Sequence, residues 1–368
     1  MNSSSFIKVL FLLSLIFQGS YASSKILNVT LVSPSTDEDK FWGMVHSFAR
    51  ASAKDLNIKL EIKRPTATLD RIDYLESLKE VFEREKKPDF VIAKLYDKIT
   101  VDILSLSEAN NVPLFIIHSN IAKTDKKSVG RLRRNFETFI GHMAPNEQKV
   151  GYDLAKYLIG EVRKTNENGR LKVAAITTNK RDTRSKKRIE GLNKAVKEEF
   201  RVKLYKVEDS SNSKEEAYIQ ANRLIRKYYD LNVIWTTSDT LALGSKNAID
   251  DNSLSEQTIT GGMNWTSAGI SAVKNKKISA TIGGHFMDAG FTLVLLHDFF
   301  KGKDFFEQFN SKIDSNMFLI TSNNVDKYLN VFGTQDWDKL DFKKYSKVYN
   351  QNLQEYNFSL ETLFNNLE

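Results

Sequence analysis

The sequence predicts an α/β protein built as two halves, each a parallel sheet flanked by helices. Three observations lead there. Short apolar runs rich in β-branched residues alternate with stretches of helical periodicity from residue 26 to residue 302. The alternation breaks once, over the polar and basic residues 121–138, and then starts again. The chain has 368 residues, 41% of them hydrophobic, which is enough for roughly two domains with cores of their own.

Taken in order, ILNVTLVS (26–33) reads as a buried strand. DKFWGMVHSFARASAKDL (39–56) reads as a helix, because Phe41, Met44, Val45, Phe48 and Ala49 fall on one face. A strand over 58–64, a helix over 69–85, a strand over 89–96, a helix over 99–110 and a strand over 113–119 follow. After the irregular 121–138 segment comes a short strand, FETFIGHM, and Pro145 is expected to open a helix. The second half repeats the pattern. Strands are expected at 171–178, 202–208, 232–238, 257–264 and 278–284, with helices between them and a last clear helix over 287–302.

The ends and the charge narrow the class. Residues 1–22 carry the parts of a secretory signal: a lysine in MNSSSFIK, the apolar run VLFLLSLIF, and small Ser20 and Ala22 around a cut. No other segment approaches the ~18 apolar residues of a membrane span, so the mature chain is expected to be soluble and periplasmic. There is no cysteine, which excludes disulfides and a lipid anchor on the signal, so stability must come from packing. Net charge is +8, yet the basic stretches KSVGRLRR (127–134) and NKRDTRSKKR (179–188) lie between structured elements. They read as solvated faces, and no nucleic-acid partner is expected.

Candidate functional residues collect at the carboxyl ends of the expected strands, where open parallel sheets bind ligands. These corners hold Asp37, Asp39, Phe41 and Trp42; Lys94 and Tyr96; His118; Asn179 ahead of Arg188; Ser238 and Asp239; Asn264 and Trp265; and Gly284 with His285. Turns and helix caps explain polar strand ends in general, and Asp39 reads well as a cap. They do not explain Trp42 on a first helical turn or Trp265 at another corner. Aromatic faces beside carboxylates and amides suit a sugar-like ligand, whose C–H faces stack on rings while hydroxyls meet acceptors and an Arg fork. A catalytic reading of Asp37 and Asp39 lacks any nucleophile–base set, and no phosphate-binding Gly-rich loop, HExxH or calcium-loop spacing occurs. His46 and His297 sit among apolar neighbours and read as structural. No enzyme activity, cofactor or metal is expected.

Five short elements occur in order at these corners: SPSTDEDKFW, Arg188-Ile-Glu-Gly191-Leu192, Ser238-Asp239-Thr-Leu-Ala242-Leu-Gly244, Gly262-Met263-Asn264, and Ala280-Thr281-Ile282-Gly283-Gly284. On these the chain, from about residue 25 to about 330, resembles the type 1 periplasmic binding proteins. Those are the sugar-type substrate-binding receptors of ABC transporters. Within them it is similar to a sugar-binding-like branch related to autoinducer-2 receptors. The resemblance implies two Rossmann-like lobes with parallel sheets, joined by a three-crossover hinge (periplasmic binding protein-like I). It implies a monomer whose first lobe covers 23–143 plus about 284–315 and whose second covers 144–283 plus about 316–330. Residues 331–368 would form a C-terminal extension. It also implies ligand contacts at Asp37, Asp39, Trp42, His118, Arg188, Ser238, Asp239, Asn264 and Gly284. Phe41, Trp265 and His285 stand beside these positions and complete the expected set. The implied function is hinge closure on a small sugar-like ligand and delivery to an inner-membrane ABC permease. The alternative is a sensory receptor presenting an autoinducer-2-type signal to a sensor kinase ectodomain, and a carbohydrate-active enzyme is more remote. The pattern departs from sugar receptors at four corners: His118 replaces Asp or Asn, Ser238 replaces Asn, Asn264 replaces Asp, and Gly284 replaces Gln or Arg. The expected fork is therefore less acidic than in a typical pentose or hexose site.

Overall fold

The computed structural model describes residues 25–67, 69–211, 213–310, 312–315 and 317–367; the expected signal at 1–22 lies outside them. The first strands are β1 (Asn28–Val32), β2 (Lys59–Lys63), β3 (Phe90–Ala93), β4 (Leu114–Ile117) and β5 (Phe139–Pro145). The next are β6 (Leu171–Thr177), β7 (Val202–Asp209), β8 (Val233–Thr236), β9 (Ile259–Met263) and β10 (Ala280–Gly283). Two short ones, β11 (Ile313–Ser315) and β12 (Phe318–Thr321), close the set. They form two six-stranded sheets with orders β11-β5-β4-β3-β1-β2 and β12-β10-β9-β8-β6-β7. Every pairing is parallel except β10 with β12. The α/β class read from the sequence is the class observed.

The helices of the first half are α1 (Lys40–Asp55), α2 (Arg71–Phe82), α3 (Thr100–Asn110) and the one-turn α4 (Lys126–Val129). The second half has α5 (Glu147–Arg163), α6 (Thr183–Glu198), α7 (Lys214–Lys227), α8 (Asp239–Asp251) and α9 (Ser267–Lys274). After them come α10 (Asp288–Phe300), α11 (Phe306–Phe309), α12 (Val325–Phe332) and α13 (Leu360–Leu367). Caps set several starts. Asp39 accepts from the Phe41 and Trp42 amides at 3.0 and 3.1 Å, and Asp182 accepts from Ser185 at 2.6 Å. Asp182 starts α6 four residues earlier than periodicity alone suggests. Pro145 ends β5 rather than opening α5, whose cap is Asn146.

In each sheet one strand sits between its own successors: β1 between β2 and β3, β6 between β7 and β8. That reversal opens a crevice at the strands' carboxyl ends. The chain passes between the sheets after β5, after β10 and between β11 and β12. Gly284, at the second passage, has φ 123°, a conformation that costs an L side chain strain.

Buried apolar side chains cover both faces of both sheets. Phe48 of α1 is fully buried and meets Phe286, Phe291, Trp337 and Phe342 edge-on, with centroids 5.2–5.7 Å apart. The segment after α12 therefore lies on α1 and α10 and extends the core of the first half. In the second half α5 and α6 approach so closely that a Cβ on Gly191 would lie 2.0 Å from the Gln148 carbonyl, and one on Gly151 as near the Arg188 carbonyl. The glycine three residues after Arg188 is thus required by helix packing.

Candidate functional site

A cavity of about 680 Å³ opens between the two sheets' strand ends. One wall comes from Asp70–Ile72 at the start of α2, from Lys94–Asp97 after β3 and from His118–Asn120 after β4. The facing wall is Asn179 and Arg181–Arg184, between β6 and α6. The volume is that of a small-molecule site. The walls touch at one rim, where Asp97 accepts the Thr183 amide at 3.2 Å and the Thr183 hydroxyl at 3.0 Å.

Four of the expected residues meet behind the first wall. Phe41 stacks on His285 at 4.4 Å between centroids and meets His118 edge-on at 5.4 Å. Trp42 meets His118 at 5.3 Å. His118 takes φ 59° at the end of β4, and its Nε2–H donates to the His285 carbonyl at 2.8 Å. Burial pushes the His118 pKa down to about 3, so the ring is neutral and its Nδ1 is an acceptor, without a partner among the described residues. Of the twelve expected residues, His118 alone lines the cavity. Gly284 lines a separate, smaller cavity of about 240 Å³.

The remaining expected residues are engaged within the framework. Asp37 pairs with His46, Arg50 and Arg64. Burial alone would raise its carboxyl, but the His46 hydrogen bond and the charges of His46, Arg50 and Arg64 outweigh that and hold it below the usual range. Asp39 is occupied as the α1 cap. Arg188 is buried, with Nε donating to Glu147 at 2.5 Å and one terminal nitrogen donating to the Thr237 carbonyl at 3.1 Å. Ser238 caps α8. Asp239 is fully buried and accepts the Thr266 amide and hydroxyl, both at 2.8 Å, and the Thr281 hydroxyl at 2.6 Å. Asn264 gives its amide to the Ile282 carbonyl. Trp265 is fully buried against Tyr328, and its Nε1–H donates to the Thr281 carbonyl at 3.3 Å.

Comparison with known proteins decides the family. The periplasmic binding protein domain matches residues 29–297. The chain belongs to that family. This periplasmic binding protein is similar to a solved periplasmic sugar-binding protein from Pseudomonas fluorescens, with 25% identity and a TM-score of 0.81, over 92% of this chain and 99% of that one. It shares its fold with an ABC transporter solute-binding protein from Actinobacillus succinogenes solved with bound D-allose (15% identity, TM-score 0.71, 82% and 100% covered). A glucose-galactose binding protein from Geobacillus stearothermophilus has the same fold (20% identity, TM-score 0.65, 82% and 99% covered). No curated protein matches by sequence. The family and these neighbours are substrate-binding proteins, and this one is a binding protein rather than an enzyme.

The cavity of this binding protein uses residues that sequence reasoning did not single out. Asp97, Asp182, Thr183 and Arg184 belong to stretches read as turns or as a solvated basic face. A signal was available for one of them: Arg184 lies four residues before Arg188, one helical turn nearer the strand end. Lys94 and Tyr96 stood among the corners without an assigned role. The Lys94 ammonium lies 3.9 Å over the Tyr96 ring. Burial pushes its pKa down to about 7, the Arg184 charge pushes the same way, and Asp182 and Asp97 oppose. Among the described residues no cluster of His, Cys, Asp or Glu is placed to hold a metal ion, and no helix is long and apolar enough to cross a membrane.

Proposed function

We propose that this protein is a periplasmic solute receptor that closes its two lobes on a small polyhydroxylated, sugar-like ligand and delivers it to an inner-membrane ABC permease. The observation that carries the reading is the cavity itself: strand-end residues of both sheets wall it, and Asp97 and Thr183 already join across its rim. Ligand seated on one wall gains further contacts when the other arrives, so binding and closing share one free energy. The permease reads the closed form.

The chemistry of the lining supports a hydroxylated ligand. Asn120 and Asn179 offer amide groups and Tyr96 a ring face, and behind them His118 Nδ1 is a buried acceptor without a partner among the described residues. The Phe41–Trp42 pair fixes the His118 ring from behind rather than forming the cavity wall. Among solved structures with this fold, some were obtained with D-allose, myo-inositol or D-arabinose bound.

A thermal-shift screen against sugars, polyols and sugar acids tests the reading, because a ligand bound only by the folded state raises Tm by mass action. The expected hit also contracts the protein in solution scattering. A library without any hit, or a hit that leaves the radius of gyration unchanged, overturns it.

A further inference from the structure

The charged groups of the cavity do not balance one another. Lys94, Arg181 and Arg184 form no ion pair among the described residues. The carboxylates on the same walls each give one oxygen to a helix cap or to the rim contact, and none is in ion-pair contact with these cations among the described residues. Asp70 caps α2, accepting from Ile72 and Asp73 at 2.7 and 3.0 Å. Asp182 caps α6, and Asp97 is taken by Thr183. The charges on both caps face the positive ends of their own helices. Lys94 is the sharpest case. It is half-buried on the first wall, its ammonium rests over the Tyr96 ring, and Arg184 on the facing wall is near enough to repel its charge.

A neutral sugar would leave this arrangement as it stands, with two cations brought together by closure, opposed only at longer range by Asp182 and Asp97 and without an ion pair among the described residues. Desolvating an uncompensated ammonium is costly, and a neutral hydroxyl returns little of that cost. Neutral-sugar recognition also calls for carboxylates free to accept hydroxyl protons, and here one oxygen of each wall carboxylate already accepts from backbone amides or from Thr183. An anion resolves both problems at once, through charge-assisted hydrogen bonds from an ammonium on one lobe and a guanidinium on the other. It also turns the repulsion between Lys94 and Arg184 into a reason for closure to await the ligand.

We infer, on the receptor reading above, that the ligand is a sugar bearing an anionic group, a carboxylate or a phosphate, gripped between Lys94 of one lobe and Arg184 of the other with its hydroxyls toward His118. The anion makes the closed state dependent on ligand, since without it the two cations oppose closing.

Titration calorimetry on the mature protein with D-glucose, D-glucuronate and D-glucose 6-phosphate, and with the corresponding galactose set, tests this. An anionic member is expected to bind at least about tenfold tighter than its neutral parent. Its Kd is expected to weaken about tenfold or more in Lys94→Gln and in Arg184→Gln, and to weaken as salt rises from about 50 to about 500 mM. The uronate and phosphate arms tell which anion is meant. Arg184 is exposed at a helix start, so its variant keeps the test intact if Lys94→Gln folds poorly. A neutral parent that binds as tightly as its acids, with no loss in either variant, overturns the anion assignment and leaves the sugar receptor standing. Silence from every probe, neutral and acidic, overturns both.

Discussion

Asp97 and Thr183 lie on opposite lobes and are joined by two hydrogen bonds, from the Thr183 amide at 3.2 Å and from its hydroxyl at 3.0 Å, both to the same carboxylate oxygen. Hydrogen bonds to a charged acceptor contribute roughly 1.5–3 kcal/mol each when both partners are well placed. The contact exists only when the lobes are together, so its energy belongs to closing. Asp97→Ala is expected to weaken ligand binding about tenfold or more and to leave the protein larger in solution scattering at a ligand concentration that closes the parent. Thr183→Val keeps the amide donor and should lose roughly half as much free energy. Unchanged scattering in Asp97→Ala would show that the rim contact contributes nothing to closure.

The charge of Lys94 sets a pH dependence for an anionic ligand. The groups facing it are Arg184, Asp182 and Asp97, with the Tyr96 ring beneath and neutral His118 beside it. Burial first, and Arg184 second, bring its pKa to about 7 in the free protein. A bound anion favours the ammonium and raises that value. Below the free pKa the proton is already present and affinity is flat. As pH rises through about 7 the free protein loses the proton that binding must restore, so Kd should weaken by up to about tenfold per pH unit. Calorimetry at pH 8 in buffers of different ionisation enthalpy should register proton uptake, and Lys94→Gln should abolish it. A Kd that is constant from pH 6 to pH 9 would rule Lys94 out as the anion's partner.

The alternation of strands and helices was legible because each buried strand is a compact apolar run and each helix shows its stripe, as in Phe41, Met44, Val45 and Phe48 of α1. β11 and β12 were not legible. They are three and four residues long, and they pair with β5 and β10 through contacts that no local pattern announces. The corners were located from the sequence, but which residue of a corner faces the cavity depends on packing behind it. Arg188 and Arg184 show this. Both follow β6 on one helical face, yet Glu147 of α5 holds the first, and the second reaches the cavity. Asp239 and Trp265 sit at strand ends as expected, but the threonines and Tyr328 packed around them engage their polar and aromatic groups. Tertiary partners far along the chain decide such cases.

Asp239 gives a prediction about stability. Burial raises its pKa to about 6, with the hydrogen bonds from Thr281 and Thr266 acting in the opposite direction. A carboxyl whose folded pKa lies above its unfolded value binds more protons in the folded state between the two. Its contribution is complete below about pH 4 and is lost as pH rises through about 6, by at most about 3 kcal/mol. Asp239→Asn can still accept the Thr266 hydrogen bonds with its amide oxygen while its NH₂ meets the Thr281 hydroxyl. Denaturant titrations at pH 4, 5, 6 and 7 are expected to show a flatter stability profile in the variant than in the parent. Parallel profiles would mean that Asp239 titrates alike in the folded and unfolded chains.

The segment after α12 is expected to be required for the first lobe's stability. Trp337 is buried against Phe48 and Phe286, with centroids 5.4 Å from each, and its Nε1–H donates to the Ser47 hydroxyl of α1 at 3.0 Å. Ion pairs from Lys54 to Asp338 and from Asp55 to Lys343 flank it, but their exposure makes them minor contributors. Trp337→Ala removes a large buried ring and leaves a cavity over α1, at a cost of about 3–5 kcal/mol. Urea unfolding should show that loss as a lower midpoint. Trp337→Phe, which retains most of the apolar area and gives up the Ser47 hydrogen bond, should lose much less. Because α1 carries Phe41 of the Phe41–His118–His285 cluster and Trp337→Phe keeps α1 packed, ligand affinity measured well below the unfolding midpoint should stay close to that of the parent in Trp337→Phe. A parent-like midpoint in Trp337→Ala would show that the segment rests on the lobe without stabilising it.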